Sequence, residues 1–353
     1  MDTEQRHAGV LDFRMWYRAL KVIPHLERNE WDALDPVSKW LVAARGAVLI
    51  MTFFSALIGG LLAFSAGSAS ILLLVLTVIG LVLAHGASNL LNDYWDTRMG
   101  VDEGNYFRAQ YGPHPLISGF MTARQLLMWV FATLCVAMLA GLYLMLVRGP
   151  WIILFAAVGL LLMMTYSGKP YPLKRIGLGE IAVFIIWGPL MIGGTFYVLR
   201  GVLPLWVILA SLPYTLGVTL VLFGKHIDKI DYDRKKSIRT LPVLLGEKWA
   251  RMASIAIIVL MFLTSVLLVA GGYLGLPVLL VALSIPGALT AIRVFTRSRP
   301  LARPADYPAD AWPLWYVGFS FIFNRNFGGL FVLGLMLDIA LKMAGIPVLV
   351  SQL

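Results

Sequence analysis

Residues 71–102 read ILLLVLTVIGLVLAHGASNLLNDYWDTRMGVD, a long apolar run that turns acidic at its end. About 20 such residues cross the roughly 30 Å hydrocarbon core of a bilayer, where a helix satisfies its own backbone. Outward from this stretch, similar runs recur near 40–66, 126–147, 151–166, 178–199, 205–224, 250–272, 277–295 and 314–344. With 71–91 they make nine expected spans. Composition agrees, because 59% hydrophobic and 14% charged residues, with mean hydropathy +0.80, exclude a soluble domain. The expected fold is all-α, a polytopic membrane bundle of about nine transmembrane helices formed by residues 40–353. The 33 glycines suit close helix packing.

Lysine and arginine gather in the N-terminal tail and in the loops that carry acids, in 169–175, and around Arg293, Arg297, Arg299 and Arg303. The opposite loops hold Arg148, Arg200 or nothing. The positive-inside rule therefore places the N-terminus and these loops in the cytoplasm, on a multi-pass protein of the cell (inner) membrane. The net charge of +10 is spread over loops, so no nucleic acid is expected as a partner. Residues 1–39 show no cleavable signal and form a cytoplasmic tail. Trp16, Leu20 and Ile23 share one helical face, with Arg14, Arg18 and Lys21 on another. Such a helix lies on membrane lipid or packs as an ordinary amphipathic element. The single cysteine, Cys135, sits inside a span and offers no disulfide or thiol metal site.

Continued as a helix, the second span puts Asn89, Asp93, Asp96 and Gly100 on one face, followed by Asp102 and Glu103. Carboxylates are expensive near a bilayer, and oxygen ligands of this sort suit Mg²⁺ or Mn²⁺ bridged to phosphate. A second acidic station follows another span, Lys225-His226-Ile227-Asp228-Lys229-Ile230-Asp231-Tyr232-Asp233. Two stations facing one chamber are expected to hold two divalent ions about a shared diphosphate. Most of the neighbouring cations serve topology, and one or two reach phosphate oxygens. A third loop, Tyr166 to Arg175, is fixed by Pro170 and Pro172 and brings Tyr166, Tyr171 and three cations to the same edge.

Ser88 to Asp96 with Gly100-Val101-Asp102 resembles the first Asp-rich motif of the UbiA superfamily of intramembrane prenyltransferases. It is most similar to the 1,4-dihydroxy-2-naphthoate polyprenyltransferases. So are Tyr166 to Pro172, Gly177-Leu178-Gly179-Glu180, Trp187-Gly188-Pro189 and Gly194 to Tyr197. Asp233-Arg234 and Arg239 to Gly246 are similar to the superfamily's second signature. The resemblance covers about residues 40–345. Three departures stand out: Gly100 where an acid is usual, with Asp102 as its substitute; Lys229 where the second motif's first Asp falls; and His114 where naphthoate enzymes tend to carry Arg. Asp228 or Asp231 would then fill the place of the missing acid.

The resemblance implies transfer of a polyprenyl group from polyprenyl diphosphate to an aromatic acceptor, with Mg²⁺ or Mn²⁺. Asp93, Asp96, Asp228 and Asp231 are the expected metal and catalytic residues. Asn89, Asn92, Asp102, Tyr166, Lys169, Lys174, Arg175, Lys225, Asp233 and Arg239 are the expected substrate contacts. Glu180 is a further candidate, while His85 and the Asn324-Arg325-Asn326 set read as structural. The alternatives are another acceptor on the same fold, such as a phenol, sugar phosphate or isoprenoid, or a secondary transporter, which would want its acids near the bilayer midplane.

Overall fold

The computed structural model describes residues 11–102, 107–170, 172–309 and 311–346. Glu103 and Tyr171 lie outside the described residues. Among the described residues eight helices are long and apolar enough to cross a membrane: α1 Gly46–Ser65, α2 Ile71–Arg98, α3 Ala123–Arg148, α5 Gly179–Arg200, α6 Leu205–Asp228, α7 Glu247–Ala270, α8 Leu276–Thr296 and α9 Tyr316–Met343. A ninth apolar helix, α4 Trp151–Ser167, is shorter at 17 residues. The protein is a multi-pass, all-helical membrane bundle.

The first expected span is broken. Pro36–Ala43 forms its own short helix, capped by Asp35, and the chain then turns through Arg45 at φ 58 before α1 begins. A left-handed arginine is an uncommon, strained conformation that neighbouring contacts must hold. By contrast α2 continues unbroken for 28 residues, carrying its acidic end past the apolar run. α5 widens into π-type turns over Ile186–Gly193, around Pro189, whose ring cannot continue the regular ladder.

α6 and α9 form the centre, with Tyr214, Phe327 and Phe331 fully buried between neighbours. Gly217 lets α6 approach Asn324 of α9, and an added Cβ at Gly224 would sit 2.9 Å from the Tyr316 carbonyl. α3 lies at the periphery, where Phe131, Leu139 and Leu146 are exposed as a lipid-facing surface requires. In the tail, the helix Phe13–Lys21 docks through Trp16, whose indole N–H donates to Asp35 at 3.2 Å. Asp35 also accepts from Asp12, Val37 and Ser38 N–H groups and from the Ser38 hydroxyl. Burial alone would raise its pKa; these hydrogen bonds outweigh burial and hold it at about 2.

Candidate active site at the cavity rim

The unbroken end of α2 carries Asn89, Asn92, Asp93 and Asp96 into a ring of cations. Asp93 is wholly buried, and a different arginine meets each of its oxygens, Arg45 at Oδ1 and Arg108 at Oδ2, the latter at 3.0 Å. Arg45 also donates to the Asn89 carbonyl at 3.1 Å, and the Asn89 side chain donates to the Ala44 carbonyl at 2.8 Å. This pair of bonds pins the left-handed turn at Arg45 against α2. Arg108 donates in addition to the carbonyls of Tyr111 and Pro113. Burial opposes its charge, but Asp93, then Tyr111 and Asp102, raise its pKa above the ordinary value. Burial likewise pushes the Tyr111 hydroxyl up.

One turn along α2, Asp96 is paired with Lys174, which also donates to Asn92 at 3.0 Å. Ser167 closes the same group through Asn92. The Pro-bounded loop thus brings Lys174 to the acidic face. Asp102, just past α2, meets His114 Nε2 at 2.9 Å, and its buried Oδ1 has no hydrogen-bond donor among the described residues. The His114 Nδ1 accepts from the Ile117 N–H at 3.3 Å, so Nε2 is the nitrogen that faces Asp102, carrying the proton that an ion bound there would displace.

Ligand atoms of Asp93, Asp102 and His114 all lie within 4.8 Å of one another. This corner fits a divalent ion: two carboxylates, one with an unused buried oxygen, beside an imidazole. The end of α6 does not assemble a matching set. Both oxygens of Asp228 are occupied at the start of α9, by Tyr316 N–H at 2.9 Å and Val317 N–H at 3.0 Å. Asp231 is solvent-facing, its side chain 78% exposed, and lies 3.4 Å from Arg234. Asp233 is buried against Lys229 at 3.1 Å.

Below the rim a cavity of about 1200 Å³ descends between the helices. Arg45, Asn89, Asn92, Tyr166 and Lys225 line its mouth; Trp187, Leu190 and Phe155 are among its apolar walls. The expected residues Asn89, Asn92, Asp93, Asp96, Asp102, Tyr166, Lys174 and Lys225 therefore converge. Lys169 and Arg239 are exposed, and Arg175 is half-buried with its guanidinium 3.9 Å from the Met99 sulfur. Glu180 binds His226 at 2.5 Å and accepts the Leu241 N–H, which ties α5 to the segment after α6. His85 is held by Thr52 at 2.8 Å and faces Trp187 across the cavity wall.

Arg45, Arg108, His114 and Lys229 were not among the expected site residues. Arg45 had a legible signal, a lone arginine within an apolar stretch, where ionisable groups are rare without a partner.

An all-helical membrane bundle with acidic helix ends above a lipid-depth cavity is the architecture of an intramembrane prenyltransferase. Residues 52–318 match the UbiA prenyltransferase family, and the chain belongs to it. It is 25% identical over 254 residues to the 1,4-dihydroxy-2-naphthoate octaprenyltransferase of Bacillus subtilis, covering 72% of this chain and 81% of that protein. In three dimensions it is similar to a UbiA homolog from Aeropyrum pernix K1 (TM-score 0.60, 20% identity, 83% of this chain, 98% of that one). A UbiA homolog from Archaeoglobus fulgidus bound to GPP and Mg²⁺ shares the fold as well (TM-score 0.52, 16% identity, 83% and 99%).

Proposed function

We propose that this prenyltransferase moves a polyprenyl group from polyprenyl diphosphate to an aromatic acceptor of the 1,4-dihydroxy-2-naphthoate type, at the cytoplasmic face. The observation that carries the reading is the cation-and-carboxylate rim set over a deep apolar cavity. The similarity to the Bacillus subtilis naphthoate enzyme supports the choice of acceptor.

In this reading Lys225, Lys174 and the amides of Asn89 and Asn92 hold the diphosphate, and the isoprenoid chain lies in the cavity below. Asp93, Asp102 and His114 would hold Mg²⁺ or Mn²⁺, which when bound neutralises charge developing on the leaving group. Asp96 keeps Lys174 aimed at the mouth, and Arg45 and Arg108 fix the Asp93 carboxylate in one orientation. The allylic C–O bond breaks with its electron pair leaving on the diphosphate. Cavity walls exclude the water that would quench the allylic cation, and the faces of Tyr166, Trp187 and Phe155 stabilise it. The electron-rich ring carbon that bears the acceptor's carboxylate then forms the new C–C bond, and the carboxylate leaves as CO₂, its bonding pair restoring the aromatic ring, with no protein nucleophile.

The test is an acceptor screen with purified protein, radiolabelled polyprenyl diphosphate and Mg²⁺, offering 1,4-dihydroxy-2-naphthoate and 4-hydroxybenzoate. Prenylated naphthoquinol is the expected product. Conversion of 4-hydroxybenzoate alone would end the naphthoate assignment.

A further inference from the structure

The two acidic stations are chemically unequal. On the α2 side, Asp93 and Asp102 stand with His114 as a ready ligand set. On the α6 side the two buried acids, Asp228 and Asp233, are engaged by the protein's own groups. Lys225 lines the cavity mouth with Asn89, Asn92 and Tyr166, and Lys229 follows one turn later against Asp233.

We infer that this site takes a single divalent ion, on the α2 side, and that Lys225 meets the diphosphate where a second ion would otherwise sit. The inference rests on the prenyl-diphosphate reading and deepens it. Three observations carry it. Both oxygens of Asp228 accept backbone N–H groups at the start of α9, which cannot swing aside as the arginine side chains on Asp93 can, and its own carbonyl is held by Arg299 at 2.7 Å. Asp231 points to solvent. Asp233 offers one carboxylate where Mg²⁺ or Mn²⁺ would still need further oxygen ligands, and it is already engaged by Lys229.

A lysine differs from an ion in ways that can be read. It is covalently present at every metal concentration, so metal demand falls from two ions to one, and the diphosphate gains part of its affinity without metal. The experiment uses the full chain in detergent with farnesyl thiolodiphosphate, an analogue slow to ionise. Mn²⁺ bound per chain is counted by the loss of the free-ion electron paramagnetic resonance signal, and analogue affinity is measured separately. Wild type should bind one Mn²⁺ per chain. Lys225→Met should weaken the analogue by about 10-fold or more, the scale of one charge-assisted hydrogen bond. Its Mn²⁺ count should stay at one, and added Mn²⁺ should not restore affinity. Lys225→Arg, which keeps the charge, should stay within about threefold of wild type and so guards against a folding defect. Two Mn²⁺ per chain, or undiminished affinity in Lys225→Met, would overturn the inference and leave the prenyltransferase reading standing. Failure of wild type to bind the analogue at any Mn²⁺ concentration would sink both.

Discussion

Asp228 and Tyr316 lie 88 positions apart, yet the carboxylate that ends α6 accepts the N–H that begins α9 at 2.9 Å. One acid thus closes the seam between the two central helices. Gly224, a turn earlier on α6, lets the Tyr316 backbone come close enough for that bond. Asp228→Ala should lower unfolding stability by about 1–2 kcal/mol, the usual loss of a helix N-cap, with Asp228→Asn less affected. Thermal unfolding in detergent reads this, and an unchanged midpoint for Asp228→Ala would remove the capping role.

Gly224→Ala should act at the same seam by steric means. Its methyl would lie 2.9 Å from three backbone atoms of Tyr316 and Val317, which cannot swing aside as a side chain does. A loss of about 1–3 kcal/mol is expected. Combined with Asp228→Ala, the two losses should fall short of additivity because both open one interface.

Asp93 carries two buried arginines at once, so removing it strands both charges. Asp93→Ala should abolish turnover and also destabilise the fold by about 3–5 kcal/mol. Activity and melting temperature measured on the same preparation check this. A fully stable, inactive variant would show that Arg45 and Arg108 do not depend on it.

Asp231 and Asp96 offer a contrast within the acidic motifs. Asp231→Asn, at a side chain 78% exposed, should keep turnover within about twofold. Asp96→Asn frees Lys174 from its partner and should reduce turnover by about 100-fold or more. The reverse order of effects would mean that the rim is assembled from the wrong acids.

The docked tail should respond to acid. Asp35 has a folded-state pKa of about 2, below its ordinary value of 3.8, so its carboxylate stabilises the fold above pH 3.8. That contribution disappears as pH falls through about 2. Asp35→Asn should loosen the tail at neutral pH, seen as faster proteolysis ahead of residue 36 and greater mobility of Trp16. Wild-type resistance in the variant would assign the docking to other contacts.

The sequence disclosed the spans well because each is an apolar run bounded by polar loops, and α2 could be followed past the interface by its 3.6-residue pattern to Asp96. The first span was harder. Nothing in Trp40 to Ala66 except Arg45 signals that the helix stops and restarts, and what stops it is a tertiary bond to Asn89. The first station's acids were legible as ligands because α2 alone sets their common face. The second station was not, since the destination of Asp228 is fixed by α9, whose start no local pattern ties to α6. His114 and Asp102 meet only through the fold of the loop between α2 and α3.

α4 spans only 17 residues, about 26 Å at 1.5 Å per residue, against a hydrocarbon thickness of about 30 Å. Its side chains Ile153, Phe155, Leu160 and Met163 form one wall of the cavity. Along that wall the lipid must thin or the flanking side chains must snorkel, at a fraction of a kcal/mol for each ångström of mismatch. Acyl-chain length thereby becomes a control on this enzyme: short-chain bilayers relieve the mismatch beside the isoprenoid groove, and thick, ordered membranes work against the protein that must draw its substrate from them.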